Sequence, residues 1–105
     1  MKLTEDKKIE LKEAYPKTPL KIVTVKTGDE EHDFVFKPVD RVTVDISSKE
    51  AGNSPTKSVE IEMVNSLVFG DKSVIEKDDT VFVALMKKWG EIQKSTNVTV
   101  TLGEL

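Results

Sequence analysis

The sequence lacks cysteine altogether, and among its 105 residues it has one histidine, one tryptophan and one arginine. Without cysteine the chain cannot form disulfides, thiolate zinc sites or a cysteine nucleophile. The single histidine, His32, leaves little for a metal cluster or a proton relay. The single arginine, Arg41, leaves little for bidentate recognition of phosphate or guanine. We therefore expect no enzyme activity and no cofactor.

The charge balance and the hydropathy pattern argue against two further classes of partner. Acidic residues outnumber basic ones 19 to 16, for a net charge of −3, whereas a nucleic-acid-binding surface normally appears as a basic excess. The longest nearly apolar stretch, residues 81–86, is far too short to cross a bilayer. The charged N-terminus lacks the apolar core of a signal peptide. We expect a cytoplasmic protein with no nucleic-acid or membrane partner.

Local patterns predict a short helix followed by a β-hairpin. Thr4 suits an N-cap, acidic residues follow it and Pro16 ends the segment, so we expect a short peripheral helix over residues 3–15. Residues 20–37 hold two runs rich in β-branched and aromatic residues, separated by a polar five-residue loop with a glycine. This pattern is typical of a hairpin. Phe34 and Phe36 share one face and are expected to point inward.

Residues 38–52 carry two conflicting patterns. Val42, Val44 and Ile46 alternate as in a strand. Val39, Val42 and Ile46 also have helical spacing, and a proline and a glycine stand where a helix would begin and end. A helix here would bury the latter three residues, and their burial could outweigh the cost of β-branched residues in a helix. The residues alone leave helix and strand open.

A further helix is predicted after this segment. Ser54 suits an N-cap and Pro55 the first helical position. The expected stop is Gly70, followed by a polar turn over residues 70–73. The apolar stripe between start and stop comprises Val59, Met63, Val64, Leu67 and Val68.

The strongest helical pattern lies near the C-terminus. The acid pair Asp78 and Asp79 precedes an apolar stripe with a 3.6-residue period that reaches Ile92. Gly90 interrupts this stripe at a cost of about 1 kcal/mol, so we expect a close helix contact or an early break there. Residues 95–105 alternate polar and apolar side chains, which predicts either a short closing strand or an extended tail.

The order of these segments predicts the fold class. A helix and a hairpin are followed by a mainly helical region over residues 38–94, and no linker or repeat divides the chain. We expect one small α+β domain over residues 1–105.

One group of side chains is a candidate for metal or acid–base chemistry. Asp71, Glu76, Asp78 and Asp79 lie close together in the sequence, which leaves a small metal- or ligand-binding domain, or an enzyme using the cluster around Asp78, as the alternative function. Their spacing does not match a calcium loop, and Asp78 and Asp79 also suit helix capping. His32 adjoins acidic residues without a nucleophile pattern, so we expect a surface histidine in the hairpin loop. We assign no catalytic or metal-binding residue.

Several stretches, in this order and spacing, resemble one family of proteins. Residues 31–41 (EHDFVFKPVDR) look like a strand that leads through a polar turn into a helix. Residues 54–60 (SPTKSVE) and 64–71 (VNSLVFGD) look like a helix that ends in a valine–glycine–aspartate turn, and residues 75–82 (IEKDDTVF) like the start of a closing helix. From about residue 20 to residue 93, the chain resembles the small tail assembly chaperones of long-tailed bacteriophages.

The resemblance implies a structure and a function. It favours a helix over residues 38–52, and it implies a non-enzymatic protein that keeps the tape measure protein soluble during tail assembly in the host cytoplasm. The expected partner is the tape measure or another tail protein, and a homo-oligomer is left open. An apolar surface surrounded by acidic residues would serve this role. We expect it on the second face of the hairpin and on the tail, at Val23, Val25, Val35, Val98, Val100 and Leu102.

Overall fold

A three-stranded antiparallel sheet lies at the centre of the computed structural model, which describes residues 1–94 and 100–104. The strands are β1 (Lys21–Thr27), β2 (Glu30–Phe36) and β3 (Leu67–Phe69), in the order β1-β2-β3. The helices are α1 (Glu5–Ala14), α2 (Arg41–Ala51), α3 (Pro55–Ser66), α4 (Lys72–Lys77) and α5 (Asp79–Gln93). The predicted single α+β domain is confirmed.

Three of the predicted helix starts carry the expected caps. The side chain of Thr4 accepts a hydrogen bond from the Lys7 amide, and that of Ser54 accepts one from the Lys57 amide, both at 3.2 Å. Asp78 accepts from the amides of Thr80 and Val81 at 3.0 and 3.2 Å. Each cap satisfies a backbone donor that the first turn leaves without a helical partner.

The segment that the residues left open is a helix. Asp40 caps α2 by accepting a hydrogen bond from the Thr43 amide at 2.8 Å, and Gly52 follows its last residue. The face that turns inward differs from the prediction, since Thr43 and Ser47 are buried whereas Val42 is 68% and Ile46 44% exposed.

The hairpin is confirmed, with a tighter turn than expected. Thr27 pairs with Glu30, so two residues form the loop instead of five. Gly28 has a positive φ of +60°. A type II′ turn needs a positive φ at its first central position, and glycine adopts one without steric cost. His32 therefore lies inside β2 and is half-buried, which corrects the prediction of a loop histidine.

The third strand is a feature that the sequence patterns missed. α3 ends at Ser66, so Leu67 and Val68 belong to β3 instead of continuing the predicted helical stripe. Their strand pairs with Val35 and Phe36 of β2. The predicted polar turn after Gly70 is also wrong beyond its first residues, because Lys72–Lys77 forms α4, capped by Asp71.

Two glycines have roles other than those predicted. Gly70 has φ of +126°, and a Cβ there would lie 2.7 Å from Cδ1 of Phe34 and 3.0 Å from the carbonyl oxygen of Asp33. Glycine at this position therefore lets β3 approach β2. A Cβ on Gly90 would meet nothing within 4 Å, and α5 continues to Gln93. The expected close contact or early break at Gly90 is wrong.

The main core lies between one face of the sheet and helices α3, α4 and α5. The ring of Phe36 packs edge-to-face against that of Trp89, with ring centroids 5.0 Å apart. The apolar stripe of α5 supplies much of this core, as its period predicted. The buried cluster comprises Val25, Phe34, Phe36, Met63, Ile75, Val81, Leu85, Trp89 and Ile92.

Candidate functional site

Helix α2 presents apolar side chains to solvent. Val42 and Ile46 lie one turn apart on the same side of the helix, and Val44, 49% exposed, lies on the opposite side. An α-helix with an apolar stripe normally turns that stripe toward the core. In α2 these apolar side chains face outward instead.

Small polar residues explain why α2 packs in this orientation. The Ser58 hydroxyl of α3 donates to the backbone carbonyl of Ser47 at 2.8 Å, a contact that a larger side chain would prevent. The Ser47 hydroxyl lies 3.1 Å from Oε2 of Glu62, and the Trp89 indole donates to Oε1 of the same carboxylate at 2.9 Å. Because buried polar groups are costly unless they are paired, this network holds α2 in place.

A shallow groove lies beside the exposed side of α2. Its apolar floor consists of Ile46 together with Ile61 and Val64 of α3, and its volume is about 200 Å³. We call it the α2–α3 groove; Val42 lies one helical turn from Ile46 on the same side of α2. The rim is charged and of mixed sign, with Lys57, Glu60 and Glu76. An apolar floor with a charged rim is the arrangement that receives an amphipathic helix.

The hairpin residues predicted to form one exposed surface lie on two different faces. Val23 pairs with Phe34, and Ile22 pairs with Val35. Val23 and Val25 therefore share the core face with the phenylalanines, and Val35 lies on the opposite face. Val25 is 8% and Val35 1% exposed, so the predicted three-residue surface is wrong. The register between the strands decided this point, and the sequence does not determine it.

The second face of the hairpin is covered in part by α1. Val35 and Ile22 line a cleft of about 360 Å³ with Leu3, Leu11 and Leu20. Leu11 is buried here, while Ile22 remains 55% exposed. The N-terminal segment is anchored at Asp33, which accepts hydrogen bonds from the Leu3 amide and the Thr24 hydroxyl, both at 2.7 Å. These two donors lower the pKa of the buried Asp33 carboxyl, since they stabilise its charged form.

The tail residues are only partly within the described chain. Val98 lies outside the described residues. Val100 and Leu102 lie in an irregular segment and are 82% and 93% exposed. Both side chains are therefore accessible to solvent, and their part in partner binding stays a prediction.

Two residues of the acidic cluster, Asp71 and Asp78, cap helices. Oδ1 of Asp71 accepts from the Ser73 hydroxyl at 2.6 Å and from the Ser73 amide at 3.0 Å, and these bonds lower the pKa of the Asp71 carboxyl. Asp78 caps α5 as described above. In residues 1–94 and 100–104, no three histidine, aspartate or glutamate side chains converge in a way that could hold a metal ion.

The single histidine has an aromatic and an acidic neighbour. The His32 ring lies 6.4 Å from that of Phe34, between centroids, and its Nε2 lies 3.2 Å from Oε2 of Glu30. Glu30 is exposed, and no nucleophilic side chain within the described residues forms a hydrogen bond with the imidazole. Within the described residues, the imidazole therefore packs in the hairpin and has no nucleophilic partner for which it could act as a general base.

Comparisons with known proteins give no assignment. Neither the family models nor the curated proteins nor the solved structures include a match to this chain. Of the helices within the described residues, none combines the length and the apolar character that a bilayer crossing requires.

Proposed function

We propose that this protein is a non-enzymatic binding module and that the α2–α3 groove receives an apolar helical segment of a partner protein. In its specific form, the protein is a tail assembly chaperone that keeps the tape measure protein soluble in the host cytoplasm during phage tail assembly. The partner's identity comes from the family resemblance of residues 20–93. The location of the binding surface comes from the exposure pattern of α2.

One observation carries the proposal: α2 turns Thr43 and Ser47 inward and leaves Val42 and Ile46 in solvent. Covering apolar surface is favourable by about 25 cal/mol per Å², so a partner that covers Val42, Ile46 and the groove floor gains affinity there. A helix with apolar residues at i, i+3 and i+4 has the complementary shape. The chain buries polar side chains under α2, which frees these aliphatic ones for a partner.

The charged rim supports the same function. Lys57 and Glu60 are paired at 3.4 Å, and Glu76 also lines the groove. Charged groups at the rim of an interface contribute mostly to specificity and to the association rate. They also keep the groove hydrated when no partner is bound. A chaperone needs this property because it must remain soluble before it binds its client.

The test is co-expression with fragments of the tape measure protein encoded by the same phage. We expect the wild-type chain to keep a fragment in the soluble fraction and Ile46→Lys to fail, because a charge would be buried against the apolar helix. The dissociation constant of the purified pair should rise about tenfold or more in Ile46→Lys.

The matched control is Val44→Lys, which introduces the same charge at a similar exposure on the opposite side of α2. It should leave both fragment solubility and affinity at wild-type levels. Circular dichroism should show both variants folded, since neither residue is buried. Equal loss of binding in the two variants would place the binding surface elsewhere, and no effect of the wild-type chain on any fragment would contradict the chaperone role.

A further inference from the structure

Strand β1 lies at the edge of the sheet. Its one partner strand among the described residues is β2, and the strand order places its other side outward. The opposite edge of β2 is used: β3 pairs along Val35 and Phe36, and the Asp33 amide donates to the carbonyl oxygen of Met1 at 3.0 Å. Of the two edge strands, β3 has three residues and β1 has seven, so the longer open edge of the sheet runs along the outer side of β1.

The register shows which backbone groups point outward along this edge. In an antiparallel pair, residues whose N–H and C=O groups point away from the partner lie opposite one another and alternate along the strands. The Asp33 amide donates away from β1, so the backbone groups of Asp33 are outward-pointing ones. Asp33 pairs with Thr24, so the groups of Thr24 also point outward, and by alternation so do those of Ile22 and Lys26.

A groove runs along this edge between β1 and α5. Four consecutive residues of β1 line it, from Val23 to Lys26. Because consecutive residues belong to opposite faces of a strand, the groove follows the edge of the sheet instead of covering one face. Its volume is about 820 Å³, and α5 contributes the apolar side chains of Val83 and Ala84. Val83 is 39% exposed.

The C-terminal segment has the pattern of a strand that fits this groove. Residues 96–102 (TNVTVTL) alternate polar and apolar side chains and are rich in β-branched residues, and their number, seven, equals that of β1. Paired with β1, the segment would place Val100 and Leu102 against α5 and Thr101 toward the opposite face. Charge is complementary too, because Lys26, Lys87 and Lys88 line the groove beside one acid, Asp79, and Glu104 follows the segment.

We propose that the C-terminal segment of a second copy of this chain adds to the outer edge of β1 as a further strand. Val100 and Leu102 do not occupy the groove of their own chain, since both are almost fully exposed. Two copies that exchange their segments reciprocally form a closed dimer, in which each outward-pointing backbone group at Ile22, Thr24 and Lys26 gains a partner. This interface shares no residue with the α2–α3 groove, so it does not depend on the proposed chaperone function.

The test combines oligomeric state with amide hydrogen exchange on the full chain. Sedimentation equilibrium over a wide concentration range should show a monomer–dimer equilibrium. Exchange of the Thr24 amide, followed by NMR, should slow by about tenfold or more as the dimer forms. Val100→Lys should weaken dimerisation by about tenfold or more, because it places a charge against Val83 and Ala84.

Thr101→Lys is the matched control, with the same charge one residue away on the other face of the added strand. It should leave the dimerisation constant and the protection of Thr24 at wild-type values. Three results would overturn the proposal. The first is a monomer at all concentrations with an unprotected Thr24 amide, and the second is a dimer that survives Val100→Lys and leaves Thr24 unprotected. The third is protection of Thr24 that does not depend on concentration, because it would indicate pairing with the chain's own segment.

Discussion

Gly70 and Gly90 differ in what surrounds them, and a methyl group at each should change stability in opposite directions. At Gly70, the positive φ and the close approach of Phe34 oppose any side chain. At Gly90, the added methyl group would meet open space in the middle of a helix. Gly70→Ala should therefore lower the free energy of unfolding by about 1–3 kcal/mol, and Gly90→Ala should raise it by about 1 kcal/mol.

Urea denaturation at neutral pH, followed by circular dichroism, measures both effects in the same way. Each variant is the control of the other, because the chemical change is identical. Shifts of the same sign would mean that the backbone at one of the two positions differs from the one described.

The carboxyl of Asp33 should make stability depend on pH. Its pKa in the folded chain is lowered by the Leu3 amide and by the Thr24 hydroxyl. A lowered pKa stabilises the folded state above the ordinary value of 3.8, and that contribution is lost as the pH falls through the lower folded-state value. Asp33→Asn should cost about 1–3 kcal/mol at neutral pH, and its difference from wild type should shrink in acid.

Unfolding free energies measured from neutral pH to below pH 3.8 test this dependence. Asp29→Asn in the exposed hairpin turn is the matched control and should run parallel to wild type. A constant difference between Asp33→Asn and wild type over the whole range would show that the charge of Asp33 contributes nothing to stability.

At the scale of the element, α2 depends on hydrogen bonds more than on apolar packing. Glu62 accepts from Trp89 with one oxygen and lies near the Ser47 hydroxyl with the other. Glu62→Gln keeps the size of the side chain but replaces one acceptor oxygen by a donor amide. We expect the free energy of unfolding to fall by about 1 kcal/mol, because either the Trp89 indole loses its charged partner or α2 loses its link to α3. The fluorescence of Trp89 should change as well.

Glu60→Gln, two residues earlier on α3, is the control for this prediction. Its carboxylate pairs at 3.4 Å with Lys57, whose side chain is 58% exposed, and such pairs contribute little. The variant should change stability by less than about 0.5 kcal/mol and leave the fluorescence unchanged. Equal effects of the two substitutions would mean that the Glu62 network does not hold α2.

Elements with strong local signals were predictable, and those made by long-range pairing were not. The cap at Asp78 and the stripe up to Ile92 define α5 within one continuous segment. β3 has only three residues, and its partner on β2 lies more than 30 residues away in the chain. Leu67 therefore has no local feature that separates a helical end from a strand, and the prediction extended the helix through it.

At the scale of the whole molecule, the apolar surface is distributed over separate regions. Val42 and Ile46 lie beside the α2–α3 groove, Ile22 lies at the α1 cleft, and Val100 and Leu102 lie in the C-terminal segment. This distribution supports the two proposed interfaces, one for a helical partner and one for a second copy. A single variant in one region should leave the other region's binding unchanged: Ile46→Lys should keep the wild-type dimerisation constant, and Val100→Lys the wild-type affinity for the fragment.

The sequence by itself determined which reactive side chains this protein lacks and where three of its helices begin. The absence of cysteine, the single histidine and the caps at Thr4, Ser54 and Asp78 are properties of residues and of their immediate neighbours. Only the tertiary structure decided which apolar residues are buried. Val25 and Val35 are buried, whereas Val42 and Ile46 are exposed. Burial depends on strand register and on helix packing between segments that are distant in the chain, and local sequence patterns do not contain this information.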